Sequence, residues 1–177
     1  MDYIFHYDSS VGPITLGSDG EALTGLWFDG EKYFGSTLGK TYEEKDLPVF
    51  EETVRWLDIY FTGKDPGFLP PLAENVTPFG MEVRRIMLSI PFGETMTYGQ
   101  IAAMIAKKQG RARMSAQAVG GAVGHNPISI IVPCHRVVGS NGCLTGYAGG
   151  IDKKVQLLQL EGADMSKLFV PSRGTAL

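Results

Sequence analysis

The residues best equipped for chemistry stand together at Pro133-Cys134-His135-Arg136-Val137. A thiol becomes a strong nucleophile when a neighbouring base or cation favours its thiolate. His135 adjoins Cys134, and Arg136 adds positive charge. The apolar run Ile130 to Val132 leads in as a predicted strand. Neighbours on a regular strand point to opposite faces, so a turn beginning at Pro133-Cys134 is needed to bring thiol and imidazole together. By the logic of catalytic triads, a third group orients the imidazole. Glu161, a charge at the end of an apolar helix, is the candidate. On spacing alone, a buried cysteine beside a structural histidine is the reading to prefer. Cys143 lacks a basic partner and reads as a bystander.

The elements that must hold these groups fall into two blocks. In the first, Tyr3 to Tyr7, Ile14 to Leu16 and Leu23 to Phe28 are short β-branched and aromatic runs separated by turn residues, a small antiparallel meander. Residues 29–46 read as a long loop. From Leu47 a helix is predicted, with Phe50, Val54, Leu57 and Phe61 on one stripe, Trp56 and Tyr60 beside it, and Gly63 as the stop. Three prolines within residues 65–71 mark a linker. The boundaries drawn are 1–76 for the first domain, 77–165 for the second and 166–177 for a tail without periodicity.

The second block opens with Thr77-Pro78, a cap followed by proline at the first helical position of a helix over 78–90. Thr97 and Gln100 have capping-box spacing for a helix running to about Ala106. A basic turn follows, with Lys107, Lys108, Arg111 and Arg113. Ser115 then caps a helix over 116–125, closed by Asn126-Pro127. Helix, basic turn, helix is a helix-turn-helix pattern. The Ile130 to Val132 strand and an Asn141-Gly142 hairpin signal supply a β-element after it, as in a winged helix. Asp152 is read as the cap of a last helix that Gly162 stops.

The helix after the basic turn carries Gln117, Ala118, Gly120, Gly121 and Gly124. Each glycine costs about 1 kcal/mol of helix propensity relative to alanine. Close helix packing would explain them, and so would a partner that must approach the backbone. A major-groove reader would normally bring Arg, Asn or Gln. A slim, nearly uncharged helix suits the minor groove and little sequence preference.

Charge is unevenly distributed. Residues 1–80 hold 5 Lys and Arg against 14 Asp and Glu, residues 81–136 hold 7 against 2, and the rest 4 against 3. The net charge of −3 therefore hides a basic middle able to face phosphate. Two cysteines are too few for a disulfide scaffold or a four-thiolate zinc site. No run of about 18 apolar residues occurs and the N-terminus has no signal-peptide pattern. The expectation is a soluble, cytoplasmic protein with no membrane partner, no cofactor and no catalytic metal.

In its motifs the second block resembles the methylated-DNA–protein-cysteine S-methyltransferases, or O6-alkylguanine-DNA alkyltransferases. The resemblance runs from about Phe92 to Gly162 and more loosely back to Thr77. It is carried by Pro133 to Val137, by Asn126 and Glu161 at their spacing from Cys134, by Gly93-Glu94 with Thr97-Tyr98, by Ala118 to Ala122, and by Tyr147 with Gly149-Gly150. It implies an α/β N-terminal domain of ribonuclease-H-like topology and a mainly α, winged-helix C-terminal domain. It also implies a monomer that docks on alkylated double-stranded DNA through the minor groove and extrudes the damaged guanine.

Under that resemblance Cys134 takes the alkyl group from O6 of guanine, with O4-alkylthymine a further substrate, and is spent after one turnover. His135 accepts the thiol proton, Glu161 orients the imidazole, Tyr98 donates to guanine N3 and Asn126 tethers the turn. Carbonyls of Cys134 and Val137 accept from the exocyclic amine, and amides near Tyr147-Ala148 hold O6. Gln117, Ala118, Gly120, Gly121, Arg113 and Ser115 face DNA. Two positions depart from the family's habit: Gln117 stands where an arginine often fills the flipped-base gap, and Ala148 where serine is common. Three rivals predict other behaviour. A damage-binding relative would lack the reactive cysteine, a winged-helix regulator would want a polar recognition helix, and a Cys-His hydrolase would turn over without DNA.

Overall fold

The computed structural model describes residues 1–172; Arg173 to Leu177, the end of the predicted tail, lie outside the described residues. By its contacts the chain divides into two units, one of Met1–Asn75 with Pro127–Ile131, the other of Val76–Asn126 and the chain from Val132 onward.

In the first unit, β1 (Asp2–Ser9), β2 (Gly12–Ser18) and β3 (Leu23–Phe28) form an antiparallel meander, and β4 (Tyr42–Glu44) adds to β1 in parallel, giving the order β3-β2-β1-β4. The meander is as the residue pattern predicts; β4 lies inside the stretch expected to be loop. Helix α1 (Pro48–Tyr60) packs on the sheet, with the Phe50 ring 5.8 Å from Phe5. Its buried face is Val49, Phe50, Thr53, Trp56, Leu57 and Tyr60, so the stripe is rotated from the predicted one and leaves Val54 and Phe61 at its margin.

Every residue of β3 is buried although the strand is at the sheet's edge. Its free backbone groups are taken up by two passing segments. The Leu23 amide donates to Pro71 O and the Ala73 amide to Leu23 O, while the Leu26 amide donates to Pro127 O and the Ser129 amide to Leu26 O. An open edge would invite another strand, and these covers prevent it.

The expected strand at Ile130 to Val132 does not form. Ile131 N–H donates to Ser129 O and Cys134 N–H to Val132 O, closing two three-residue turns. Ile130 at the centre of the first has φ 68, a left-handed conformation that β-branched residues avoid. Pro133 at the centre of the second has φ −82 and ψ 63, which its ring allows. The run is apolar because it is fully buried, not because it is extended.

In the second unit, α2 (Pro78–Ser89), α3 (Tyr98–Lys108) and α4 (Ala116–Gly124) are capped as expected by Thr77, Thr97 and Ser115, with the Thr97–Gln100 box complete in both directions. Val83, Ile101, Ile105, Val119 and Val123 are buried. The β-element is a short parallel pair of β5 (Met96–Thr97) and β6 (Val137–Val138), not an antiparallel hairpin. Asn141 and Gly142 do make a tight turn, at φ 61 and 84. Helix α5 (Ile151–Leu160) begins after Gly150, with Asp152 inside its first turn and no side-chain cap; Gly162 at φ 73 follows its end, as expected. The tail is not featureless. Met165–Lys167 is a short 3-10 helix, and Phe169 pairs with Cys143.

Candidate active site

Asn126 begins the construction. It ends the α4 segment, is buried, and its Nδ2 donates to Val132 O at 3.0 Å, fixing the residue that precedes Pro133. The chain then turns at Pro133 into a single 3-10 turn, Cys134–Arg136, closed by Arg136 N–H to Pro133 O and Val137 N–H to Cys134 O. Successive side chains on such a turn are about a third of a revolution apart, so Cys134 and His135 escape the opposed facing of strand neighbours. Both are buried, His135 completely.

Glu161 sits one residue beyond α5 and completes the group. Its Oε2 lies 2.5 Å from His135 Nε2, and its Oε1 accepts from Arg136 Nε at 2.7 Å and from the Gly93 amide at 3.0 Å. Gly93 has φ 79, and a Cβ there would stand 2.8 Å from Glu161 O, so no other residue fits. Arg136 is held again by Ile90 O at 2.7 Å. Its charge, expected to act on the thiol, serves as the counter-ion of the carboxylate.

Burial alone would raise Glu161, but the hydrogen bonds and charges of His135 and Arg136 outweigh it and bring the carboxyl down to about 2. Burial pushes His135 below the usual histidine value against the pull of Glu161. The pair is therefore an ionised carboxylate and a neutral imidazole. Nε2 must donate to the carboxylate, which leaves Nδ1 with its lone pair and no protein hydrogen bond among the described residues. A neutral imidazole oriented in this way is a base.

Pairing of β5 with β6 sets Thr97 opposite Val138, and Tyr98 follows Thr97 at the start of α3. Burial first, and the charge of Cys134 second, raise the Tyr98 phenol to about 12, so it stays a donor; its hydroxyl reaches Thr145 O at 3.3 Å. Tyr147 is buried with its ring edge-on to His135 at 6.5 Å. Ala148 lies in the turn before Gly150, whose amide donates to Tyr147 O. The Val137 carbonyl accepts from Lys154 Nζ at 2.6 Å, leaving one lone pair for another donor.

Lys154 is the residue that sequence reasoning missed. Its side chain is fully buried on α5 and donates to both Val137 O and Thr145 O. Burial lowers its ammonium to about 8, while Cys134 and Cys143 act to raise it. A lysine between two helix positions looks like surface in a sequence; its only hint is that it follows Ile151 by three residues, on the apolar face.

On α4, Gln117, Ala118 and Gly121 are exposed and only Val119 and Val123 are buried. A Cβ on Gly121 or Gly124 would meet nothing, and one on Gly120 only the edge of Tyr98. The glycines are not needed for packing within the fold. Beside this helix a cleft of about 490 Å³ is lined by Gly99, Ala102, Ala106, Lys107, Arg111 and Arg113.

Two family descriptions match the chain: the ribonuclease-like domain of 6-O-methylguanine DNA methyltransferase over residues 3–73, and the DNA binding domain of the same protein over 78–163. This chain belongs to the 6-O-methylguanine DNA methyltransferase family. A methylated-DNA–protein-cysteine methyltransferase of Mycobacterium bovis is 44% identical over 161 residues, covering 89% of this chain and 93% of the relative. One from Haemophilus influenzae is 39% identical over 160 residues, covering 90% and 86%. Among solved structures, Mycobacterium tuberculosis OGT in complex with DNA superposes with a TM-score of 0.78 at 40% identity, covering 94% of each chain. The methyltransferase of Pyrococcus kodakaraensis gives 0.64 at 27%, covering 92% of this chain and all of the other. The matched DNA binding domain stops at Ala163, short of the segment that pairs with Cys143.

Proposed function

We propose that this methyltransferase repairs DNA by direct reversal, moving the alkyl group of O6-alkylguanine onto Cys134 in one irreversible step. The observation that carries the assignment is the buried His135–Glu161 pair, which leaves His135 Nδ1 as a base on the residue that follows Cys134. The Cys134 sulfur forms a bond to the alkyl carbon as the carbon–O6 bond breaks. The thiol proton passes to His135 Nδ1 by way of a water, and Glu161, already ionised, stabilises the imidazolium. Tyr98, kept protonated, gives up its bond to Thr145 O and donates to guanine N3 as charge develops on the leaving base. Val137 O and Cys134 O receive the exocyclic amine, and the amides at Tyr147-Ala148 receive O6. The thioether product has no leaving group, so each molecule acts once.

DNA is read through α4 in the minor groove. The glycine-rich face of exposed Gln117, Ala118 and Gly121 with half-buried Gly120 lets a backbone approach, with Ser115 at the helix start and Arg113 at the cleft for phosphate. Residues 77–165 carry this chemistry. A monomer working in the cytoplasm fits a reduced thiol and a site complete within one chain. No helix of the described residues is long and apolar enough to cross a membrane.

The test is a duplex with one methyl-labelled O6-methylguanine, followed by intact mass and peptide mapping. One methyl per molecule on the Cys134 peptide, without a second turnover, is the expected result. Label left on DNA despite tight binding would overturn it.

A further inference from the structure

We infer that the segment Asp164–Val170 is a positioning strap for the active-site loop, holding Thr145 so that its carbonyl keeps Tyr98 and Lys154 in place. The segment lies beyond the residues matched by the family's DNA binding domain. It is nonetheless bonded into the site. Leu144 N–H donates to Phe169 O at 2.8 Å and Phe169 N–H to Gly142 O at 3.1 Å, a two-bond ladder on the stretch that enters the loop. Met165 and Leu168 pack on the buried cluster of Val138, Leu144 and Leu158, which joins β6 and α5.

The next residue after Leu144 is Thr145, whose carbonyl receives the Tyr98 hydroxyl and the Lys154 ammonium. From Thr145 to Tyr147 the chain has no regular secondary structure and no helix or ladder of its own to fix it. Its entry is therefore set by Leu144, and Leu144 is set by the strap. Gly142 shows how close the two run. A Cβ there would stand 1.9 Å from Lys167 O, at a φ of 84. Phe169 and Val170 keep about half of their surface in solvent, at 49% and 54% exposure, so the strap acts through its backbone and not through those side chains.

That distinction sets the test, performed on the full chain. Phe169→Pro removes the donor to Gly142 O, whereas Phe169→Ala keeps it and trims only an exposed ring. Each is assayed for single-turnover methyl transfer at saturating duplex and separately for duplex Kd. Phe169→Pro is expected to slow transfer about tenfold with Kd within twofold, while Phe169→Ala stays within twofold of the parent in both. Gly142→Ala, which pushes on the ladder from the other side, is expected to slow transfer likewise. Equal transfer by Phe169→Pro and the parent, or equal loss in Phe169→Ala, overturns the strap.

Hydrogen exchange of the Leu144 amide in the unsubstituted chain decides the matter if a variant does not fold. Strong protection there, lost in Gly142→Ala, is expected; free exchange overturns the proposal. A parent chain that transfers no methyl at all would sink the reaction assignment instead, and Leu144 exchange would still judge the strap.

Discussion

Glu161 has two oxygens, and the fold gives each a different partner: His135 on one, Arg136 and the Gly93 amide on the other. Glu161→Gln removes the charge that fixes the imidazole tautomer and leaves Arg136 buried without its counter-ion. Breaking a buried pair from one side costs about 3–5 kcal/mol, and transfer from DNA is expected to fall at least about a hundredfold. Stopped single-turnover assays and thermal melts measure the two effects separately. The pH dependence has a definite sign. His135 must be neutral to accept a proton, and burial holds its pKa below 6.5. Transfer at saturating duplex is therefore expected to stay level on acidification down to 6.5 and to fall only below it. An acid limb centred above that value would show that His135 is not the base.

Helix α4 is the element that departs most from a sequence-reading helix, with three glycines in nine residues and no charge. Its exposed Gln117 can fill the space of an extruded base and form hydrogen bonds, but it brings no phosphate attraction. Gln117→Arg is expected to tighten duplex binding and steepen the salt dependence of log Kd by about one further counterion. Gln117→Ala is expected to slow transfer from duplex several-fold while leaving transfer from free O6-benzylguanine unchanged, because the free base needs no extrusion. Identical duplex rates for all three proteins would remove Gln117 from base flipping.

At the scale of the whole molecule, the first unit holds a carboxylic acid unrelated to the site chemistry. Glu31 is buried, its Oε2 accepts from the Phe28 amide at 3.3 Å, and burial raises it to about 7 from 4.5. The folded chain thus holds a proton there that the unfolded chain releases near 4.5. Its contribution is complete below about 4.5 and is lost as pH rises through 7, at most about 3 kcal/mol. Glu161 acts in the opposite sense, adding stability above 4.5 that is lost as pH falls toward 2. Urea melts followed through Trp27 and Trp56, both in the first unit, are expected to lose stability from pH 5 to pH 8. Glu31→Gln should flatten that slope, and an unchanged slope would exclude Glu31 as its source.

The sequence alone determined the parts whose signals are local. Caps at Thr77, Thr97 and Ser115, the breaks at Pro127 and Gly162, and the β-branched meander are written in the residues next to the structure they make. The Cys134–His135–Glu161 set was a weak signal on spacing alone and became legible through the family resemblance, because the link between His135 and Glu161 spans 26 residues. The tertiary structure alone decided what depends on distant neighbours. Ile130 to Val132 is apolar whether extended or folded into two tight turns, and only its burial, with the Asn126 hold on Val132, selects the turns. Lys154 reads as a surface lysine until two carbonyls 17 and 9 residues away enclose it. The segment Asp164–Val170 carries no periodicity because its order comes from a ladder with Gly142 and Leu144, and a ladder is a property of two strands, not of one.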